Sequence, residues 1–295
     1  MALKHTRTFR ARYYECDAYG HLNNSNYLRY MQETAFDASA AAGYGLERYR
    51  QMGTVWLIRE SEVEFLEPIR YGDTVEVTSW VADFQRVRSR RAYEFRREGE
   101  PQVLARGFTD WVYLDDETVK PAAIPDELKR AFFPNGGPNE IPKRERFPEI
   151  PPLPKNPYRM RRRAAWNEVD PRVHVNNAAY MVYVEDAGVG VSESFGWPMR
   201  RFEQEGRGWF ASHIRIQHLS ETVFGEELEV MTYLSDVRRA SLVRNYLIER
   251  VGDRELAARA RVRYAYADIE SGRSRRIPDE LLKDFADNIS PGGEA

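Results

Sequence analysis

Two short stretches of the chain carry the same set of side chains capable of chemistry. Asp17, His21, Asn23, Asn24, Tyr27 and Tyr30 return in the same order and spacing as Asp170, His174, Asn176, Asn177, Tyr180 and Tyr183. An aspartate can attack an electrophilic carbonyl or take a proton from water, and a nearby imidazole can orient the reacting groups. An aspartate a few residues ahead of a helix also serves as a turn or cap residue, and Asn pairs do the same. Spacing alone leaves both uses open. Cys16 abuts Asp17 and invites a thiol mechanism, but the second stretch has Val169 at that place, so chemistry common to both stretches cannot need it. His213 and His218, five apart on a strand, would face opposite ways. With no other ligand cluster in sight, neither a metal nor another cofactor is expected.

The elements that must hold these residues are duplicated with them. An offset of 153 residues relates the two stretches, and it also pairs Gly43 with Gly196, Trp56 with Trp209, Gly72 with Gly225, Tyr93 with Tyr246 and Pro125 with Pro278. A register held over more than a hundred residues is a duplication. Two domains also suit a chain of 295 residues. The first is placed at residues 1–133 and the second at 158–289. Eight of the 16 prolines fall between them in 134–157, which reads as a semi-extended linker. The terminal Ser290–Ala295 is expected to fray.

After each motif, apolar or small residues recur with a helical period. They are Tyr27, Tyr30, Met31, Thr34, Ala35, Ala38, Ala41 and Ala42 in the first copy, ended by Gly43. The second copy gives Tyr180, Tyr183, Val184, Ala187, Gly188, Val191, Ser194 and Phe195, ended by Gly196. The period then drops to two: Val75, Val77, Ser79 and Val81 alternate with polar neighbours, and Leu228, Val230, Thr232 and Leu234 repeat the alternation. Further strands are predicted near 87–97 and 102–114, with counterparts near 240–250 and 255–267, and a short helix from Pro125 or Pro278 closes each copy. One long helix followed by strands predicts an α+β fold with an antiparallel sheet on a single helix.

Composition narrows the function classes. A formal net charge of −2 offers no basic footprint for nucleic acid, and no apolar run approaches the length of a membrane span. A single cysteine excludes a disulfide framework within the chain, and the N-terminal stretch lacks the apolar core of a signal peptide; a cytoplasmic protein is the expectation.

The run Asp-x-x-(Gly)-His-(Leu/Val)-Asn-Asn-x-x-Tyr-x-x-Tyr between a strand and a long helix resembles the signature of hotdog-fold thioesterases of the 4-hydroxybenzoyl-CoA type. It is also similar to the run in acyl-ACP thioesterases, which are likewise two hotdog units in one chain. The resemblance covers both copies nearly end to end. It implies two tandem hotdog domains, each a sheet wrapped around its helix, pairing as an intrachain pseudo-dimer, with further homo-oligomers left open. It implies that Asp17 and Asp170 act as nucleophile or general base on an acyl thioester, with the amides around Asn23 to Asn26 and Asn176 to Ala179 polarising the carbonyl. His21, Asn23, Asn24, Asn26, His174, Asn176 and Asn177 would bind or orient substrate. Arg86, Arg88 and Arg239 would lie near the CoA phosphates. Acyl-CoA is the substrate so implied; acyl-ACP and a non-catalytic thioester binder are the rivals. The acyl-ACP enzymes carry Asn two residues after the Asp, where this chain has Tyr19 and Arg172. Copy one has Gly20 before its His and copy two Val173, which favours copy one if a single site works.

Overall fold

The computed structural model describes residues 2–137 and 144–291. Contacts divide the chain into Met1–Arg146 and Phe147–Ala295, so the division falls inside the proline-rich segment, of which 138–143 lie outside the described residues.

In the first unit β1 (Lys4–Arg10) leads through a single turn of 3-10 helix (Tyr13–Glu15) to α1 (Asn24–Ala41) and the short α2 (Leu46–Gln51). Then come β2 (Thr54–Phe65), β3 (Thr74–Phe84), β4 (Arg88–Arg97), β5 (Val103–Asp115) and α3 (Asp126–Phe132). The strands are antiparallel in the order β1-β3-β4-β5-β2. The second unit repeats this as β6 (Tyr158–Arg163), a turn at Trp166–Glu168, α4 (Asn177–Ser194), α5 (Met199–Glu205), β7 (Arg207–His218), β8 (Glu227–Ser235), β9 (Ser241–Arg250), β10 (Leu256–Asp268) and α6 (Asp279–Asp284). Its order is β6-β8-β9-β10-β7. A sheet laid along one long helix in each unit is the α+β hotdog arrangement that the periodicities and the resemblance imply.

The buried face of α1 runs through Tyr27, Tyr30, Met31, Thr34, Ala35 and Ala38, and it stops there: Ala41 is exposed. Its small residues bring the helix onto the sheet so closely that a Cβ added at Gly107 of β5 would lie 2.8 Å from Met31 Sδ. The short helices α2 and α5 and the strands β2 and β7 have no clean period; β2 carries a bulge between Ile58 and Glu60 that breaks its alternation. β8 was expected to alternate, yet all of it but Glu227 is buried. The chain from Phe147 onward covers it. Tyr233 Oη donates to Pro151 O (2.7 Å), Ser290 Oγ to Pro152 O (2.6 Å) and Asn288 Nδ2 to Asn156 O (3.0 Å). Phe147 lies under the guanidinium of Arg259 (4.4 Å). The described part of the proline-rich segment thus has no helix or strand but is docked. Ser290, expected to fray, is buried and bonded, and residues 292–295 lie outside the described part. No helix among the described residues is long and apolar enough to cross a membrane.

The first unit ties down the other end of that segment by charge. Asp83 is buried on β3, and Arg144 pairs with it; Arg144 also reaches Asp110 (3.6 Å), which Arg90 grips with two bonds of 3.0 and 2.7 Å. Removing one member of a buried pair leaves the other charge uncompensated. Arg144→Ala should therefore cost the first unit about 3 kcal/mol, seen in calorimetry as a lowered transition, and adding Asp83→Asn should recover part of it. A wild-type melt for Arg144→Ala would show that the pair contributes nothing.

Candidate active site

Each motif folds into a tight hairpin loop. Cys16 and Leu22 form an isolated β-bridge, the Asp17 amide donates to His21 O (2.7 Å) and the Gly20 amide to Asp17 O (3.0 Å). The Asp17 carboxylate then holds the loop from inside, its Oδ1 accepting the amides of Tyr19 (2.9 Å) and His21 (3.0 Å). The second unit has the Val169–Val175 bridge, Asp170 N to His174 O (2.9 Å), and Asp170 Oδ1 accepting the Arg172 amide (2.9 Å). The aspartates are thus turn residues with an orientation fixed by backbone amides, and that fixed orientation is compatible with chemistry.

One position in the loop needs a left-handed backbone. Gly20 takes it at φ 76°, without cost. Val173 takes it at φ 66°, where a β-branched side chain is strained.

Around Asp17, desolvation and charge oppose each other. The carboxylate has an exposed side, yet the protein crowding it pushes its pKa up from the ordinary value. The amides of His21 and Tyr19 and the charges of His21 and Arg70 pull the other way. His21 pairs with Arg70 through backbone, and its pKa is lowered, by burial first and by Arg70 as well, so the ring is neutral at neutral pH. In the second unit Val223 stands where Arg70 does, and His174 Nε2 faces Glu221 Oε2 at 3.3 Å. Cys16 has its pKa raised by burial and then by Asp17, so the thiol is not an activated nucleophile.

The helix N-termini are partly used up. Asn23 caps α1, its Oδ1 accepting the Ser25 amide (3.0 Å) and hydroxyl (2.7 Å), while Asn26 N donates to Asn23 O and Asn23 N to Glu15 O. Asn176 caps α4 in the same way through Ala178 N (3.0 Å), with Ala179 N on Asn176 O and Asn176 N on Glu168 O. Of the amides expected to meet a thioester oxygen, those of residues 23, 25 and 26 and of 176, 178 and 179 are taken by the caps. What remains for a thioester oxygen is the positive end of the helix dipole. Asn26 is buried, donating to Glu15 O (2.9 Å) and accepting from Arg29 (2.8 Å), so its polar atoms hold the loop to the helix.

The sequence reading missed Glu15 and Glu168. Glu15 Oε2 accepts the Arg12 amide (2.9 Å) and the Tyr30 hydroxyl (2.8 Å); Glu168 Oε2 accepts the Ala165 amide (2.8 Å) and the Tyr183 hydroxyl (2.7 Å). Their recurrence two residues before each aspartate was the available signal.

Within one unit the arginines stand apart from the loop. The Asp17 loop is bound to Ile69 and Arg70, just ahead of β3, whereas Arg86 and Arg88 are exposed beyond its far end. Eleven residues of β3 put about 35 Å between them along the strand. Arg239 stands in the same relation to Asp170 across β8. Within a unit, the structure gathers Asp, His and the Asn cap and leaves these arginines at the opposite end. Among the described residues no group of three or more His, Cys, Asp or Glu is arranged to hold a metal ion.

Two α+β units, each with an aspartate loop fixed at the N-terminus of the helix its sheet wraps, define a tandem hotdog protein. The chain belongs to the thioesterase-like superfamily, whose family model matches residues 11–132 and again 164–285. It is 27% identical over 187 residues to a chloroplastic acyl-[acyl-carrier-protein] hydrolase of Cuphea viscosissima, covering 60% of this chain and 45% of that one. The chain thus spans about half the length of the curated relatives it matches. Among solved structures, a 12:0-ACP thioesterase from Umbellularia californica superposes with a TM-score of 0.70 at 21% identity over 89% of this chain and 94% of that one. An acyl-ACP thioesterase from Bacteroides thetaiotaomicron gives 0.70 at 17% identity over 88% and 97%.

The strained loop position gives a test with opposite signs in the two units. Gly20→Val should destabilise by about 1–3 kcal/mol, whereas Val173→Gly should be neutral or stabilising by about 1 kcal/mol. Denaturant unfolding reads both; equal effects would mean that the two loops differ in conformation.

Proposed function

We propose that the chain hydrolyses acyl-CoA thioesters to the free acid and the thiol. The observation that carries this is the Asp17 loop, a carboxylate oriented by two backbone amides beside the positive end of α1, within a member of the thioesterase-like superfamily. Two routes use it. As a general base, Asp17 takes a proton from water, the hydroxide adds to the carbonyl, and the tetrahedral intermediate expels the thiolate, which takes up the proton. As a nucleophile, Asp17 forms a mixed anhydride with loss of thiolate, and water then cleaves it. In both, negative charge gathers on the carbonyl oxygen, where the helix dipole stabilises it. His21, neutral at neutral pH, orients the loop in this scheme. A cytoplasmic setting belongs to the same proposal.

A second reading has a specific observation in its favour: the curated relatives are named for acyl carrier protein thioesters. Against it stand Tyr19 and Arg172 at the position two residues after each aspartate. Matched acyl-CoA and acyl-ACP substrates, compared by kcat/KM, separate the two. Saturable binding of acyl-CoA without turnover would replace both with a non-catalytic binder.

Asp17→Asn keeps the size and much of the capping, so it should fold while cutting turnover at least about a hundredfold. Asp170→Asn should cost less, because its loop is strained and lacks the Arg70 counterpart. Full hydrolysis in a folded Asp17→Asn, Asp170→Asn double variant would refute the mechanism.

The same carboxylate sets the pH profile. Its base form is lost as pH falls through a pKa raised above the ordinary aspartate value, so the acid limb of kcat/KM should lie above that value. Arg70 pulls this pKa down, so Arg70→Gln should move the limb to higher pH. An unmoved limb would mean that another group controls it.

A further inference from the structure

Large aromatic side chains belong inside, and an exposed cluster of them marks a surface that something covers. Each unit has such a cluster at the same place. Tyr13 and Tyr71 meet edge to face with ring centroids 5.6 Å apart at 89°, and Trp166 and Phe224 meet at 5.4 Å and 86°. All four are between 47% and 80% exposed. The positions are related by the 153-residue offset, and both pairs sit on the rim of the motif loop. Tyr13 and Trp166 begin the 3-10 turn that leads to the aspartate, while Tyr71 and Phe224 follow the residue that bridges to the motif histidine. Between the copies the hydroxyls change and the aromatic faces do not, so the shared property is an open ring face.

The second pair has an arginine against it. Arg163 ends β6 and lays its guanidinium against Gly225, next to Phe224, with Nε donating to Gly225 O (2.8 Å). Arg10, its counterpart, ends β1, where the following Ala11 pairs through backbone with Gly72 and Asp73. Nothing lies within 4 Å of the Cβ position at Gly72, so Arg10 shares the place of Arg163 in the chain without folding onto this turn as Arg163 does on Gly225. In an edge-to-face pair the outer face of one ring stays open, and a planar base stacks on it while a guanidinium takes a phosphate.

We propose that these corners dock the nucleotide of the thioester's carrier: Tyr13, Tyr71 and Arg10 in the first unit, and Trp166, Phe224 and Arg163 in the second, receive the adenine ring and phosphate of coenzyme A. This rests on the acyl-CoA reading above and adds where the coenzyme is gripped, at the rim of the reactive loop instead of at Arg86, Arg88 and Arg239. The pantetheine arm joins the thioester at the aspartate to the nucleotide at the rim. A bare apolar patch would equally suit a second copy of this chain; the guanidinium of Arg163 on Gly225, with Arg10 at the equivalent strand end, favours an anion that carries a flat ring.

The test uses adenosine 3′,5′-bisphosphate, which has the nucleotide but no thioester, so it reads the corner independently of hydrolysis. Isothermal titration of the full chain should show binding. Tyr71→Ala with Phe224→Ala should weaken it about five- to a hundredfold, the range for loss of one base–aromatic stack. Arg10→Gln with Arg163→Gln should weaken it and flatten its dependence on salt. Both double variants should melt like wild type, because the residues are exposed. Absence of binding to wild type, or unchanged binding in both variants, overturns the proposal even if acyl-CoA is hydrolysed. Bisphosphate binding that follows these predictions supports the corner even if no thioester is turned over. Self-association in sedimentation that the aromatic variant abolishes, with no nucleotide bound, would assign the corners to a second copy and overturn it as well.

Discussion

A carboxylate largely withdrawn from water, which must find partners, organises each site. Glu15 and Glu168 are drawn in under the first turn of the long helix, where an unsatisfied charge would cost several kcal/mol. Each meets the demand in the same two ways, with a backbone amide three residues upstream and a tyrosine hydroxyl fifteen residues downstream. The tyrosine lies about two turns into the helix beyond the Asn cap. The bond therefore clamps the strand entering the loop to the helix leaving it. The backbone carbonyls of Glu15 and Glu168 complete the clamp by accepting the amides of Asn23 and Asn176. With both ends pinned, the seven residues 16–22 or 169–175 must turn within a fixed gap, and the aspartate carboxylate is an acceptor that closes the turn.

The copies keep this clamp while changing what supports it. In the first, Phe9 stacks flat on Tyr30 at 4.1 Å, and the Asn26 side chain adds a bond to Glu15 O. In the second, Arg162 occupies the place of Phe9, stacks on Tyr183 at 3.6 Å and pairs with Glu168, while Ala179 replaces Asn26. An aromatic stack plus an amide bond has been exchanged for a cation that serves as stack and counter-charge at once. Substitutions at separate positions compensate because they act on one carboxylate. That shared load explains how the clamp persists while the loop it holds diverges, from Gly20 beside Arg70 to Val173 beside Val223.

Much of this was legible in the sequence because it is written in period and repetition. The 153-residue offset predicts the limits of α4 from those of α1 without a shift, and β9 and β10 from β4 and β5. Asn23 and Asn176 read as caps because a side-chain oxygen before a helical stripe has a local use, and the structure finds them capping. The rest depended on contacts far apart in sequence. β8 reads as half-buried from its own residues; only the chain docked over it, through Pro151 to Tyr233, buries its second face. The charge run at Arg86 and Arg88 is visible as a run, but its distance from Asp17 depends on which end of β3 the loop meets. Glu15 and Glu168 stayed hidden because an isolated glutamate beside an aspartate looks like surface charge until a tyrosine is folded onto it.

The reactive residue is poised by the same loop that makes it a turn residue. A carboxylate pressed by protein tends to protonate, and one that has protonated is neither base nor nucleophile. Donation from the Tyr19 and His21 amides opposes this, as does the nearby charge of Arg70. A structural turn and a competent base therefore both draw on the Asp17 carboxylate held by backbone donors. This is why capping and catalysis are not rival accounts of the residue. The loop needs an oxygen acceptor to close, and a closed loop holds the carboxylate where a thioester carbonyl can meet it.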